Sequence, residues 1–169
     1  MITVVTPNTY ELPLTKNTPQ LTIFLAGTID NGDSANWQQE VIEKLNKDKE
    51  DYEILVYNPR RDYWLPDASK EVIEEQIRWE QQHLDDAQMI VMYLRDDSKS
   101  PISLLELGLY AKEKPMYVFC SEKFYRFDNV RLTCDKYYIP LFVTNDTDWV
   151  VDKIKELYDI KTGRFFKNC

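Results

Sequence analysis

Short apolar runs alternate with longer helical segments along most of this chain. The runs lie at residues 21–26, 52–57, 88–94, 115–120 and 138–143. Strands that alternate with helices form βαβ units, and their parallel sheet is covered by helices on both faces. The pattern therefore predicts a doubly wound α/β fold whose parallel sheet has five strands in the order 2-1-3-4-5.

The length of 169 residues is that of one ordinary domain. We expect an N-terminal lead-in over residues 1–20, one domain over residues 21–160 and a tail over residues 161–169. The lead-in contains three prolines and is expected to be irregular or to form a hairpin. Residues 120–135 show no clear period and are predicted to form a long loop, of the kind that serves as a lid, a binding loop or an interface.

Charge and composition restrict the possible partners. The 21 Lys and Arg residues against 29 Asp and Glu residues give a net charge of −8, which disfavours binding to a nucleic acid polymer. The longest apolar runs have about six residues, whereas a membrane helix needs about 20. The first residues lack a secretory signal, and the three cysteines are scattered without a CxxC spacing. We therefore expect a soluble cytoplasmic protein that binds neither nucleic acid nor a membrane.

The predicted topology indicates where a ligand would bind. In an open sheet of this kind, ligands lie beyond the carboxyl ends of the strands, where the strand order reverses. The loops at that edge are residues 27–33, 58–66 and 95–101, and the first and third should flank the crevice. Gly27 opens the first loop, and a glycine lets the backbone approach a ligand closely.

The second loop mixes basic, acidic and aromatic side chains. Arg60 can hold a phosphate or a carboxylate, and Trp64 or Tyr63 can stack on a planar ring. The alternative is a structural loop in which Asp62 pairs with Arg60 or Arg61.

Glu106 is the strongest candidate for a catalytic residue. It lies about one turn into the helix that begins near Pro101, among aliphatic neighbours such as Ile102 and Leu109. This helix is apolar nearly all round, which predicts burial on most sides. The positive end of the helix favours the ionised carboxylate, which is a competent nucleophile toward an electrophilic carbon. The alternative is an ordinary solvated helical glutamate.

Glu80 is the second candidate carboxyl. It falls in register with four apolar residues that we expect to form a core-facing stripe, namely Ile73, Ile77, Leu84 and Ala87. A carboxyl on an apolar face has a raised pKa and can carry a proton at neutral pH. One charged and one protonated carboxyl are what glycosyl transfer with retention uses. The alternative is that Glu80 pairs with Arg78 or another nearby base.

The sequence offers few residues or motifs for several other kinds of catalysis. His83 is the only histidine, and no GxSxG, HExxH or GxGxxG motif occurs. We expect a structural role for His83, and neither a metal nor an organic cofactor.

Four motifs in chain order resemble the nucleoside 2-deoxyribosyltransferase-like family. They are FLAGTID at residues 24–30, NPRRD at 58–62, QIRWE at 76–80 and SPISLLELG at 100–108, and the resemblance spans roughly residues 21–145. It implies a flavodoxin-like α/β fold and cleavage of the N-glycosidic bond of 2-deoxynucleosides. It also implies a covalent deoxyribosyl–Glu intermediate, a role in nucleotide salvage and a homo-oligomer, as a dimer or larger.

The resemblance also implies roles for individual residues. Glu106 would be the nucleophile that attacks C1′, and Glu80 stands where the family often has an Asp that assists protonation or orientation. Asn129 resembles an asparagine that family members lend to the sugar across a subunit interface. The implied substrate-binding residues are Phe24, Gly27, Thr28, Asp30, Asn58, Arg60, Asp62, Trp64, Ser100 and Asn129.

Two positions depart from the family pattern. Ser100 stands where an Asp that contacts the base is often found, and Phe24 where an aromatic hydroxyl is often found. In the first loop, the negative charge of Asp30 disfavours a substrate phosphate.

The expected reaction is transfer of a 2-deoxyribosyl group between nucleobases, with a 2-deoxynucleoside and a free nucleobase as the binding partners. Two alternatives stay open. Water could replace the second base, which would make the protein an N-glycoside hydrolase acting on deoxynucleosides or deoxynucleotides. The protein could instead be a nucleotide-binding module without catalysis.

Overall fold

A computed structural model of the chain describes residues 1–8, 19–30, 34–47, 52–61 and 68–164. These residues form one six-stranded sheet and five helices. The strands are β1 (Ile2–Val5), β2 (Leu21–Gly27), β3 (Ile54–Tyr57), β4 (Met89–Leu94), β5 (Met116–Cys120) and β6 (Leu141–Val143). The helices are α1 (Trp37–Lys47), α2 (Lys70–Asp86), α3 (Pro101–Tyr110), α4 (Phe127–Tyr137) and α5 (Thr147–Thr162).

The sheet confirms a doubly wound α/β fold but corrects the number of strands. All strand pairs are parallel, and the order is β1-β3-β2-β4-β5-β6. The predicted five strands correspond to β2 through β6, whose order matches the prediction. The sixth strand is β1, which pairs in parallel with β3 from Ile2 opposite Ile54 to Val5 opposite Tyr57. Its β-branched residues favour an extended backbone, and β3 would otherwise be the exposed edge of the sheet.

The sheet separates two apolar cores. Alternate residues of each strand point to opposite faces, so Ile23 and Leu25 of β2 pack under α1 and α5. Phe24 and Ala26 of the same strand pack on the other face, under α2, α3 and α4. Because both faces are covered, β2 and β4 are buried along their whole length, as near-continuous apolar runs require.

The buried face of α2 differs from the predicted stripe. Ile73 and Ile77 are 51% and 46% exposed, whereas Gln76 and His83 are buried beside Leu84. The polar pair can face the core because it finds partners there. His83 bonds through Nδ1 to the carbonyl oxygen of Trp79 and stacks on the Trp79 ring, and Gln76 donates to the carbonyl oxygen of Pro59.

Residues 120–135 are not the predicted long loop. A turn follows β5, and α4 then begins at Phe127 and ends at Tyr137. Only Val130 and Cys134 of this helix are buried, which leaves a weak apolar period in the sequence.

None of the helices in the described ranges is both long enough and apolar enough to cross a membrane.

Candidate active site

A cavity of about 250 Å³ opens at the carboxyl ends of β2 and β4, on the face covered by α2 and α3. Here the chain leaves β2 for one face of the sheet and β4 for the other, so the cavity lies where the strand order reverses. Five predicted site residues line it, namely Gly27, Asp30, Glu80, Ser100 and Glu106.

Gly27 is required by the contact between the two central strands. Its φ is +133°, and a Cβ atom at this position would lie 2.1 Å from the backbone oxygen of Tyr93. Thr28 continues the contact by donating its N–H to that same oxygen at 3.0 Å. Gly27 therefore lines the cavity at a point where the backbones of β2 and β4 approach closely.

A hydroxyl network joins the loops that follow β2 and β4. Oγ1 of Thr28 and Oγ of Ser100 lie 2.7 Å apart, and Oγ1 of Thr28 also accepts the N–H of Arg95 at 3.1 Å. Ser98 donates to Oδ1 of Asp30 at 2.6 Å, and its Oγ is 3.0 Å from Oγ of Ser100. Thr28 is fully buried, and its hydrogen bond holds the Ser100 hydroxyl in place.

Two residues of this network have strained backbones. Asp30 has φ of 50° and Ser100 has φ of 43°, and Ser100 precedes a proline, where an extended conformation is preferred. Ser100 is the N-cap of α3, but its hydroxyl bonds sideways to Thr28 instead of capping the helix. The surrounding hydrogen bonds hold both residues in conformations that are common at functional sites.

Glu106 lies in the second turn of α3 and lines the cavity. Burial, together with the nearby charge of Glu80, raises the pKa of Glu106 from 4.5 to about 8. At neutral pH Glu106 is therefore mostly protonated in this structure, which differs from the predicted ionised form. The positive end of a helix acts mainly within the first turn, and Glu106 lies six residues after the N-cap Ser100.

Glu80 enters the same cavity from α2. Burial raises its pKa, while a hydrogen bond from Gln76 and the positive charge of Arg61 act in the opposite direction. Nε2 of Gln76 donates to Oε1 of Glu80 at 2.6 Å. Arg78, the base considered as its partner, is instead exposed and lies 4.0 Å from Glu74. The basic residue that influences Glu80 is thus Arg61.

Arg60 and Asn58 fix the backbone beside the cavity and do not line it. The guanidinium of Arg60 donates to the carbonyl oxygens of Ser34 at 2.5 Å and Ala35 at 3.3 Å. Oδ1 of Asn58 accepts the N–H of Arg60 at 3.1 Å, and the N–H of Asn58 donates to the carbonyl oxygen of Val5. These bonds tie the segment after β3 to β1 and to the start of α1.

The remaining predicted residues lie elsewhere. Phe24 is fully buried in the core beneath the cavity, with its ring 6.3 Å from that of Trp79. Asn129 is exposed on α4 and lines a separate groove with Arg126 between α3 and α4. Asp62 and Trp64 lie outside the described residues.

The sequence pattern predicted neither a role for Gln76 nor its contact with Arg61. Nε of Arg61 donates to Oε1 of Gln76 at 2.6 Å, so the two residues form a chain of hydrogen bonds that ends at Glu80. The four-residue spacing of Gln76 and Glu80 within QIRWE is the available signal, since such residues share a helix face. In the described ranges, no group of three or more His, Cys, Asp or Glu side chains is placed to hold a metal ion.

The fold and the site define a doubly wound α/β protein with two carboxyls from different helices in one cavity at the switch point of the sheet. The sequence matches the model of the family described as nucleoside 2-deoxyribosyltransferase like over residues 20–124. This match covers more than half of the chain and includes both carboxyls, and the protein belongs to this family. No curated protein gives a significant match.

Proposed function

We propose that this protein transfers a 2-deoxyribosyl group from one nucleobase to another through a covalent intermediate on Glu106. One observation carries the proposal: Glu106 and Glu80 line the same cavity, close enough for the charge of Glu80 to raise the pKa of Glu106. Two interacting carboxyls beside one sugar are what a retaining mechanism needs. Membership of the family supports the same chemistry.

In the first step, an oxygen of ionised Glu106 bonds to C1′ while the bond between C1′ and the base nitrogen breaks. The electron pair of that bond goes to the departing base, and the proton of Glu80 goes to a nitrogen of the base. The products are a neutral base, a deoxyribosyl ester of Glu106 and ionised Glu80. In the second step, a nitrogen of the incoming base attacks C1′, Glu106 departs as a carboxylate, and Glu80 takes up the proton of that base. Two inversions at C1′ restore the β configuration.

The proton must lie on Glu80 when the glycosidic bond breaks, although burial favours it on Glu106 before substrate binds. The pair titrates as a coupled unit, so the proton can move between its members. Positive charge that develops on the sugar next to Glu106 favours the ionised form of that carboxyl. The proton therefore moves to Glu80 as the transition state is approached.

The charge of the cavity supports a cationic transition state. Among the described residues that line the cavity, three are acidic, namely Asp30, Glu80 and Glu106, and none is Lys or Arg. An oxocarbenium-like sugar would be attracted to these surroundings more strongly than a neutral nucleoside is. The missing 2′-hydroxyl lowers the cost of that positive charge, and the reaction as proposed uses neither a metal nor an organic cofactor.

The other predicted residues receive supporting roles in this proposal. Ser100 and Asp30 would contact the substrate from the loops above the sheet, and Asp30 would disfavour a 5′-phosphate by its negative charge. Gly27, Thr28 and Phe24 would shape the floor, and Asn58 and Arg60 would hold the adjoining backbone. Asp62 and Trp64 stay candidates for contact with the base.

A homo-oligomer, dimeric or larger, is part of the proposal. The two helices that flank the cavity expose five large aliphatic side chains: Ile73 and Ile77 on α2 and Ile102, Leu105 and Leu109 on α3. These exposed apolar side chains support an interface on this side of the protein. Ile102 also lines the cavity, so a second copy packed here would border the site and could supply its Asn129.

The test is incubation of the protein with 2′-deoxyinosine and adenine, followed by chromatography. Formation of 2′-deoxyadenosine is expected, whereas free deoxyribose would identify a hydrolase and no product would favour a binding module. A 2-fluoro sugar analogue should become attached to Glu106 and be located there by peptide mass. Glu106→Gln should abolish both reactions, and Glu113→Gln, at an exposed residue just after α3, should abolish neither.

A further inference from the structure

A buried amide links Arg61 to the pair of carboxyls. Gln76 lies on α2 and is only 9% exposed. Its Oε1 accepts a hydrogen bond from Nε of Arg61 at 2.6 Å. Its Nε2 donates to Oε1 of Glu80 at 2.6 Å and to the carbonyl oxygen of Pro59 at 3.1 Å. Both N–H groups of the amide and its oxygen are therefore engaged.

The neighbours of Gln76 determine which end of the amide faces Glu80. The guanidinium of Arg61 has donors only, so it must bond to the amide oxygen. The carbonyl of Pro59 is an acceptor only, so it must bond to the amide nitrogen. A reversed amide would place donor against donor at Arg61 and acceptor against acceptor at Pro59. Gln76 consequently presents an N–H group to Glu80 in either protonation state of that carboxyl.

We propose that Gln76, held by Arg61, is a positioning residue that confines the proton of Glu80 to Oε2, from which the leaving base is protonated. The inference rests on the proposed function, in which Glu80 supplies that proton. A proton on Oε1 would oppose the N–H of Gln76, so Oε1 stays an acceptor. Because the proton can lie only on Oε2, it faces the leaving base once it has moved to Glu80, without a search among carboxyl conformers.

The groups around Glu80 set the expected effect of removing the amide. Arg61 lies on the segment after β3, Glu106 lies on α3, and Asp30 lines the same cavity from the loop after β2. Burial raises the pKa of Glu80, and the hydrogen bond from Gln76 lowers it. Loss of that bond in Gln76→Leu should therefore raise the pKa of Glu80 and free its carboxyl to rotate.

The first measurement compares two donors that differ in their need for a proton. The base of 2′-deoxyinosine departs with a proton, whereas its 7-methyl derivative already carries a positive charge and releases a neutral base without one. Gln76→Leu should lower kcat/KM at least about tenfold for 2′-deoxyinosine, since general acid catalysis contributes about 10²- to 10⁴-fold. The 7-methyl donor should lose less than about twofold, because no acid catalysis operates on it. A purely structural role would lower both values equally.

A second pair of variants tests the part played by Arg61. Arg61→Met removes the donor that orients the amide and should show the same selective loss for 2′-deoxyinosine. Arg61→Lys keeps a cationic donor and should lose less activity than Arg61→Met.

The second measurement does not depend on turnover. The protein is labelled with ¹³C at the glutamate carboxyls, and the Glu80 signal is identified by its loss in Glu80→Gln. Its titration should move to higher pH in Gln76→Leu. The matched control is Gln82→Leu, since Gln82 donates to Asp86 four residues later on the exposed side of the same helix. This control should leave the Glu80 titration unchanged.

The outcomes separate the two proposals. Selective loss for 2′-deoxyinosine together with an upward shift of the Glu80 titration supports the role of Gln76. Equal losses for both donors, or a Glu80 titration that does not move in Gln76→Leu, overturn it. Absence of turnover in the wild type overturns the proposed transfer reaction, and the titration then still shows whether Gln76 governs the proton on Glu80.

Discussion

Glu106→Gln should make the protein more stable while it abolishes the proposed transfer reaction. The pKa of Glu106 is raised from 4.5 to about 8 by burial and by the charge of Glu80. In the unfolded chain the pKa of the carboxyl returns to its ordinary value. The folded state therefore binds this proton more tightly, and folding is penalised increasingly as the pH rises from about 4.5 to about 8. An amide of the same shape does not ionise and escapes this penalty.

The magnitude follows from the difference between the two pKa values. Each unit corresponds to about 1.4 kcal/mol, so the penalty reaches at most about 3 kcal/mol at pH 7 and about 5 kcal/mol well above pH 8. These values are upper limits because Glu106 lines an open cavity where water reaches the carboxyl. For a chain of this size, each kcal/mol corresponds to about 2–4 °C in Tm. The Tm of Glu106→Gln should therefore exceed that of the wild type by several degrees at pH 8 and by little at pH 5.

The assay is thermal unfolding by calorimetry at pH 5, 6, 7 and 8. The wild type is compared with Glu106→Gln and with Glu75→Gln, which alters an exposed carboxyl on α2. The difference between Glu106→Gln and the wild type should widen with pH, and that of the control should not. A difference that is the same at every pH would refute the argument, because a neutral packing effect has no pH dependence.

Four further outcomes are expected. Gly27→Ala should destabilise the protein by about 3 kcal/mol or more in urea unfolding, since its Cβ would collide with the backbone of β4; a loss below about 1 kcal/mol would contradict this. Tyr93→Phe should be neutral or stabilising by up to about 1 kcal/mol, because the buried hydroxyl has no hydrogen-bond partner in the described part of the chain; a clear loss would contradict this. Leu105→Lys should convert an oligomeric wild type to monomers in light scattering, and a monomeric wild type would count against the interface. A deoxyribose analogue with a protonated ring nitrogen should bind to the wild type at least about 100-fold more tightly than 2′-deoxyinosine in calorimetry. Glu106→Gln should lose this preference, and equal affinities in the wild type would contradict the cationic transition state.

The sequence predicts the central part of the fold well because its strands are buried on both faces. Residues of β2 and β4 are apolar almost without interruption, and in a chain with alternating helices that pattern is typical of the inner strands of a parallel sheet. The four residues of β1 give no comparable signal, since their place depends on pairing with β3 across the sheet. The predicted orientation of α2 is wrong in its first half because Gln76 satisfies its polar groups inside the core. A prediction from apolar periodicity assumes that polar residues face water, and it fails where the fold supplies buried polar side chains with hydrogen-bond partners.

The position of the candidate site in the fold was predictable, whereas its electrostatics were not. The rule of the switch point and the spacing of residues bring Glu80 and Glu106 to one edge of the sheet. The sequence does not indicate which of Arg60 and Arg61 lies near the carboxyls, because neighbouring residues in a loop can point in opposite directions. Arg60 bonds to backbone carbonyls, and Arg61 reaches Gln76. Only the tertiary structure separates these two roles.

The raised pKa of Glu106 has the same origin. Sequence places Glu106 near the positive end of α3, which predicts the ionised form. In the fold, Glu106 has passed beyond the first turn of the helix and gains burial and a negative neighbour, whereas Glu80 gains a hydrogen bond from Gln76. The proton of the resting pair therefore favours Glu106, and the proposed reaction must move it to Glu80. Because a positive charge at C1′ favours that movement and a neutral nucleoside does not, the proposed mechanism makes the pair reactive only as the glycosidic bond begins to break.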